Sequence, residues 1–122
     1  MAREDCGIMI RFITVLAGAA LLTTASLGAQ DAKLVDTGKK LFTSKQCMTC
    51  HMIAGKGNKV GVLDGVAAKV NAADMKTWLT KPATMEAKLA KPPLMKMSSK
   101  IAALKLTDAD INALVAYLQT LK

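Results

Sequence analysis

The sequence predicts an all-α fold, and three observations lead there. Apolar residues recur at helical spacing in four segments, no run alternates as a half-buried strand requires, and residues suited to capping helices open two of the four. At 122 residues the chain has room for one ordinary domain, and its 52% hydrophobic content excludes disorder.

The leading residues read as an address. Arg3 and Arg11 stand at the start of an uncharged run from Phe12 to Gln30, apolar through Leu22, and small residues then cluster at Ala25, Ser26, Gly28 and Ala29. That order predicts a signal peptide over residues 1–29, cleaved after Ala29, and a mature domain over 30–122. An uncleaved anchor is the competing reading, since the run just reaches the roughly 20 residues that cross a bilayer. Its Thr, Gly and Ser content argues against stable membrane insertion. Cys6 precedes the apolar run, whereas a lipoprotein needs its cysteine after it. The domain is therefore expected in the periplasm or otherwise exported.

The first helical segment runs from Asp31 to Gln46, with Leu34, Val35, Leu41 and Phe42 among lysines, and leads directly into Cys47. Gly55, Gly57, Asn58 and Gly61 mark a loop. From Asn71 to Lys81 a second helix opens on Asn71 as N-cap, carries Met75, Trp78 and Leu79 at helical spacing, and is stopped by Pro82. A short helix is expected at Thr84–Leu89. In the last segment Thr107 is the N-cap, and Asp108 and Asp110 sit in the first turn, where the helix dipole favours negative charge. Ile111, Leu114, Val115, Leu118 and Leu121 then form one apolar stripe.

Charge narrows the function classes. The chain carries 17 Lys+Arg against 9 Asp+Glu, a net +8. Removing residues 1–29 takes away Arg3, Arg11, Glu4 and Asp5, so every cation of the mature domain is a lysine. Lysine is a hydrated point charge on a flexible stem, suited to loose, salt-sensitive encounters rather than bidentate phosphate recognition. With no arginine, few aromatics and no nucleic-acid motif, DNA and RNA binding are excluded as functions. A mature domain of this size with one Trp, one Tyr and a single Phe needs a bound group or a staple to fill its middle.

Cys47-Met48-Thr49-Cys50-His51 supplies that group. It is a C-x-x-C-H sequence, the covalent attachment site for c-type haem. On a helix, positions i, i+3 and i+4 share one face, so two thiols can bond the porphyrin vinyl groups while the imidazole reaches the iron. A dithiol redox motif would need a βαβ context, and zinc would need a fourth ligand that a chain with 3 Cys and 1 His does not offer. A structural disulfide is the remaining alternative. Because His51 is the only histidine, the second axial ligand must be another group, and a methionine thioether pairs with histidine in outer-sphere electron carriers. Met95 and Met97 stand in the right part of the chain, with Met75 and Met85 more distant.

From Gly38 onward the sequence resembles the monohaem class I cytochromes c. The matching elements come in family order: Gly38-Lys39-Lys40-Leu41-Phe42, the C-x-x-C-H motif, Trp78-Leu79-Thr80-Lys81-Pro82, Pro93-Leu94-Met95-Lys96-Met97, and Leu114-Val115-Ala116-Tyr117-Leu118. The resemblance implies a small fold of about four helices around one covalent haem, with the N- and C-terminal helices crossing where Gly38 and Phe42 meet Leu114 and Tyr117. It implies Met97 as the axial ligand, since the family often has Pro four residues before that methionine and Lys just before it, as Pro93 and Lys96 stand here. Trp78 looks like the large ring beside the haem, its N–H directed to a propionate, or else a core tryptophan. Two positions depart from the family. Val62 replaces the proline that often follows the glycine after the haem motif, and whose carbonyl accepts the histidine's other N–H; a carbonyl survives any side chain, so that bond is expected to persist. Ser98 stands where many relatives carry Pro after the ligand methionine.

The expected function is one-electron carriage between redox partners by Fe(II)/Fe(III) cycling, without enzymatic activity, by a monomer whose lysines meet acidic docking surfaces. A cytochrome subunit held in a redox enzyme complex is the alternative. A gas-binding or peroxidatic haem protein, with methionine weakly held or absent, is the second.

Overall fold

The computed structural model describes residues 24–122, with side chains from residue 31 onward. The leader expected over residues 1–29 lies outside the described residues, apart from the backbone of 24–29. That stretch begins α1 (Thr24–Ser44), which starts seven residues before Asp31, the expected first residue.

The domain is helical, as its sequence predicts. Helices α2 (Val66–Lys69), α3 (Ala72–Thr80), α4 (Pro82–Glu86), α5 (Ser98–Ile101) and α6 (Asp108–Leu118) follow α1. Both expected caps form. The Asn71 side chain accepts the Asp74 N–H at 2.8 Å. Thr107 and Asp110 close a reciprocal box, in which the Thr107 hydroxyl accepts the Asp110 N–H at 3.2 Å and the Asp110 carboxylate accepts the Thr107 N–H at 3.0 Å. Pro82, expected only as a stop, is also the first residue of α4, where its missing N–H leaves no helical bond unmade. The short helix thus begins two residues earlier than its sequence suggests. Helices α2 and α5 are a single turn each, too short to leave a periodic signal.

The expectation of no strand needs correction. Strands β1 (His51–Ile53), β2 (Lys56–Gly57) and β3 (Gly61–Val62) form a small sheet in the order β2-β1-β3, with β1 antiparallel to β2 and parallel to β3. Strands of two or three residues cannot show alternation. They form because the chain reverses at Ala54 and Gly55, both at positive φ, and returns along β1.

Helices α1 and α6 cross at Gly38. A Cβ there would lie 1.9 Å from the Ala113 carbonyl oxygen and 2.8 Å from Tyr117 Cβ, so only glycine permits this approach. One turn further on, Phe42 meets Tyr117 edge to face, ring centroids 6.0 Å apart at 63°. Phe42, Leu79, Ile111 and Leu114 form the core, tying α1, α3 and α6 together. Among the described residues no helix is long and apolar enough to cross a membrane.

Candidate functional site

After α1 the chain turns through Gln46, at φ 56°, into one 3-10 turn, Cys47–Thr49. The expectation that Cys47, Cys50 and His51 share an α-helix is therefore corrected. Residues i and i+3 of a 3-10 turn lie one above the other, so the two thiols still share a side, and the Cys50 N–H donates to the Cys47 carbonyl at 3.2 Å. His51 instead begins β1. Its backbone pairs with Gly61 of β3, and that pairing, rather than helical periodicity, sets the direction of the ring.

The His51 ring is half-buried, and its Nδ1 lies 3.1 Å from the Gly61 carbonyl oxygen. A carbonyl can only accept, so Nδ1 carries the proton and Nε2 keeps its lone pair. The expected bond thus persists, but its acceptor is Gly61 and not Val62 at the position of the missing proline. Burial holds the His51 pKa below its usual value, against the pull of the Gly61 carbonyl, which keeps the imidazole in the neutral form that ligates metals. Gly61 is itself part of the cradle: a Cβ there would sit 2.6 Å from His51 Nδ1 and 2.7 Å from the Cys50 carbonyl oxygen. Asn58 closes the same segment from outside, its side-chain N–H donating to the Thr49 carbonyl at 3.0 Å and its backbone N–H to the His51 carbonyl at 3.1 Å.

Cys47 and Cys50 are both half-buried, and their sulfurs are not bonded to one another. Burial pushes the Cys47 pKa up, with the Cys50 charge adding to the rise and a backbone hydrogen bond opposing it. Among the described residues no three His, Cys, Asp or Glu side chains converge as metal ligands. Two thiols that share a side and an imidazole bound elsewhere through Nδ1 suit a flat molecule gripped at its edge and at its centre.

The methionines separate by environment. Met75 is 3% exposed and its sulfur accepts the Gln119 amide N–H at 3.2 Å. The Met85 sulfur faces the Lys88 ammonium at 3.9 Å. Met95 is 46% exposed, whereas Met97 is half-buried and packs on the core cluster, as Cys47 does. A cavity of about 270 Å³ opens beside that cluster, lined by Leu79, Thr80, Ile101, Ala102, Lys105, Leu106 and Ile111. Haem fits this donor set: free thiols, a neutral imidazole with an available nitrogen, and a thioether on the same apolar core.

The family model for cytochrome c matches residues 35–122. The chain belongs to the cytochrome c family. No curated protein and no solved structure matches it. As a cytochrome c it binds haem c covalently through a C-x-x-C-H motif, and members of the family typically carry electrons between redox proteins. In this cytochrome Trp78 is half-buried on α3, next to the core residue Leu79 in sequence.

Near Met97 the sequence reading marked Ser98 but missed its partner, Glu86. The Glu86 carboxylate, at the end of α4, accepts the Ser98 N–H at 2.8 Å and the Ser98 hydroxyl at 2.6 Å. The Ser98 hydroxyl, then its N–H, holds the Glu86 carboxyl below the usual carboxylate range. The signal was faint but present: Glu86 is the one acid between Asp74 and Asp108, and Ser98 is a donor where relatives carry a proline.

Proposed function

We propose that the protein is an exported one-electron carrier in which His51 and Met97 are the axial ligands, Cys47 and Cys50 form the thioethers, and Trp78 flanks the porphyrin. When bound, the haem supplies a one-electron iron couple. The chain's own residues do the rest. The Gly61 carbonyl fixes the His51 tautomer and orients its ring, raising ligand basicity. The core cluster gives Met97 an apolar surface to pack on. Held by His51 and Met97, the iron would keep no site open to a substrate, which would favour electron transfer over substrate chemistry.

The single observation that supports this best is the pairing of a His51 Nε2 left free by its neighbour with a thioether seated on the same core as Cys47. The surface fits transient partners. Every lysine from Lys33 onward is exposed except Lys45, whose ammonium donates to the Leu104 carbonyl at 3.0 Å, and Lys40 with Asp36 is the one ion pair among the described residues. Such a cationic surface would attract acidic docking surfaces and release them as salt rises.

Oxidised and reduced optical spectra of the exported protein test the reading. A c-type reduced spectrum with a sulfur-to-iron band in the oxidised form is expected, the band disappearing in Met97→Ala and surviving in Met95→Ala. The reverse pattern makes Met95 the ligand. Rapid carbon monoxide binding by the folded reduced protein would overturn the saturated-iron assignment. Purification as a free monomer is expected, against stable co-purification for a subunit of a complex.

A further inference from the structure

The stretch that leads to Met97 has little backbone structure to hold it. The Leu89 N–H bonds back to the Glu86 carbonyl at 3.1 Å, and no N–H from residue 90 to 97 then donates to another backbone group. Pro92 and Pro93 have none to give. Leu94 is 92% exposed and Met95 46% exposed, so side-chain packing does not secure this segment either.

Order returns at the Met97–Ser98 peptide, which is gripped on both sides. Its carbonyl accepts the Lys100 and Ile101 N–H groups, each at 2.9 Å. Its N–H, that of Ser98, donates to Glu86 at 2.8 Å, and the Ser98 hydroxyl takes the second carboxylate oxygen at 2.6 Å. Two donors on one ionised carboxylate make a charge-assisted, bidentate tie. It closes the segment from α4 to α5 between partners twelve positions apart in the chain. A proline at 98 would have neither donor.

We propose that Glu86 is a positioning residue, holding Met97 on the core through the N–H and hydroxyl of Ser98 so that the thioether competes with small external ligands. The inference rests on Met97 being the axial ligand. A methionine that is free to leave must be fixed in place by the chain around it, because each ordering step made before ligation need not be repeated on rebinding.

Imidazole binding to the oxidised holoprotein tests it, read from loss of the sulfur-to-iron band, with the far-ultraviolet helical signal and haem content as folding controls. Glu86→Ala should bind imidazole roughly tenfold more tightly than the parent, the scale of one lost charge-assisted hydrogen bond. Ser98→Ala, which keeps the N–H, should fall between them. Glu86→Gln, whose amide can accept the N–H and donate to the hydroxyl oxygen but carries no charge, should also fall between the parent and Glu86→Ala. Equal imidazole affinity in the parent and folded Glu86→Ala overturns the proposal, as does a Glu86→Gln affinity equal to that of Glu86→Ala. Should Glu86→Ala fail to yield holoprotein, Ser98→Ala decides alone: parental affinity there sinks the tie. The two readings fail separately. If the band survives Met97→Ala, the ligand assignment is wrong; if it vanishes there while Glu86→Ala behaves as the parent, only the positioning role is lost.

Discussion

The histidine side and the methionine side of this cytochrome are built on different principles. Between Cys47 and Leu63 the chain is held by backbone: a 3-10 turn, three short strands, the Gly61 carbonyl on His51, and Asn58 bonded to both Thr49 and His51. Between Ala87 and Met97 it is held at its ends, chiefly by one carboxylate on Ser98. A backbone-built site tolerates many side chains but no intrusion into its space. A site fixed by a side chain tolerates intrusion but not loss of that side chain. The difference suits the two proposed ligands, since the imidazole belongs to the covalent motif while a Met97 thioether would have to be placed from a distant segment.

The largest effect expected from breaking this contrast is at Gly61. Gly61→Ala puts a methyl 2.7 Å from a backbone oxygen and should cost about 1–3 kcal/mol as overpacking, with reduced haem incorporation. Denaturant unfolding of the holoprotein measures it; an unchanged midpoint would mean that the cradle at Gly61 yields to the added methyl. Next comes the foot of α6, whose Ile111 and Leu114 carry the core on which both sides pack. Thr107→Ala should lose about 1 kcal/mol by removing the cap, visible in the same titration.

A smaller effect depends on acid. The Thr107 N–H, then its hydroxyl, holds the Asp110 carboxyl below the usual carboxylate range. Its folded value lies below its unfolded one, so its contribution is complete above the unfolded value and is lost as pH falls through the folded one. Asp110→Asn should therefore flatten the fall in thermal midpoint below about pH 4 while leaving the neutral range parallel to the parent. Parallel curves throughout the acid range would remove Asp110 as a source of acid sensitivity. Smallest of all is Leu94→Ser on the methionine side, expected within about 0.5 kcal/mol of the parent because the side chain is 92% exposed. A larger loss would show that the segment packs more firmly than its bonding suggests.

Features with a local cause were legible in advance. Asn71 and Thr107 announce their helices because a cap is read within three residues. The C-x-x-C-H motif is contiguous, and the α1–α6 crossing was visible through Gly38 only because the resemblance supplied its partner. Illegible features were short or non-local. Strands of two residues leave no pattern, the acceptor for His51 shifted by one residue with the sheet register, and Glu86 and Ser98 are twelve residues apart with nothing between to connect them.

By itself the sequence determined the cofactor, the cationic surface and the helical class, since covalent chemistry, charge and periodicity are properties of neighbouring residues. Only the tertiary structure decided which carbonyl holds the imidazole, which methionine sits on the core and what fixes it there. Those choices depend on where distant backbone segments come to rest against one another, and packing settles that over the whole domain at once.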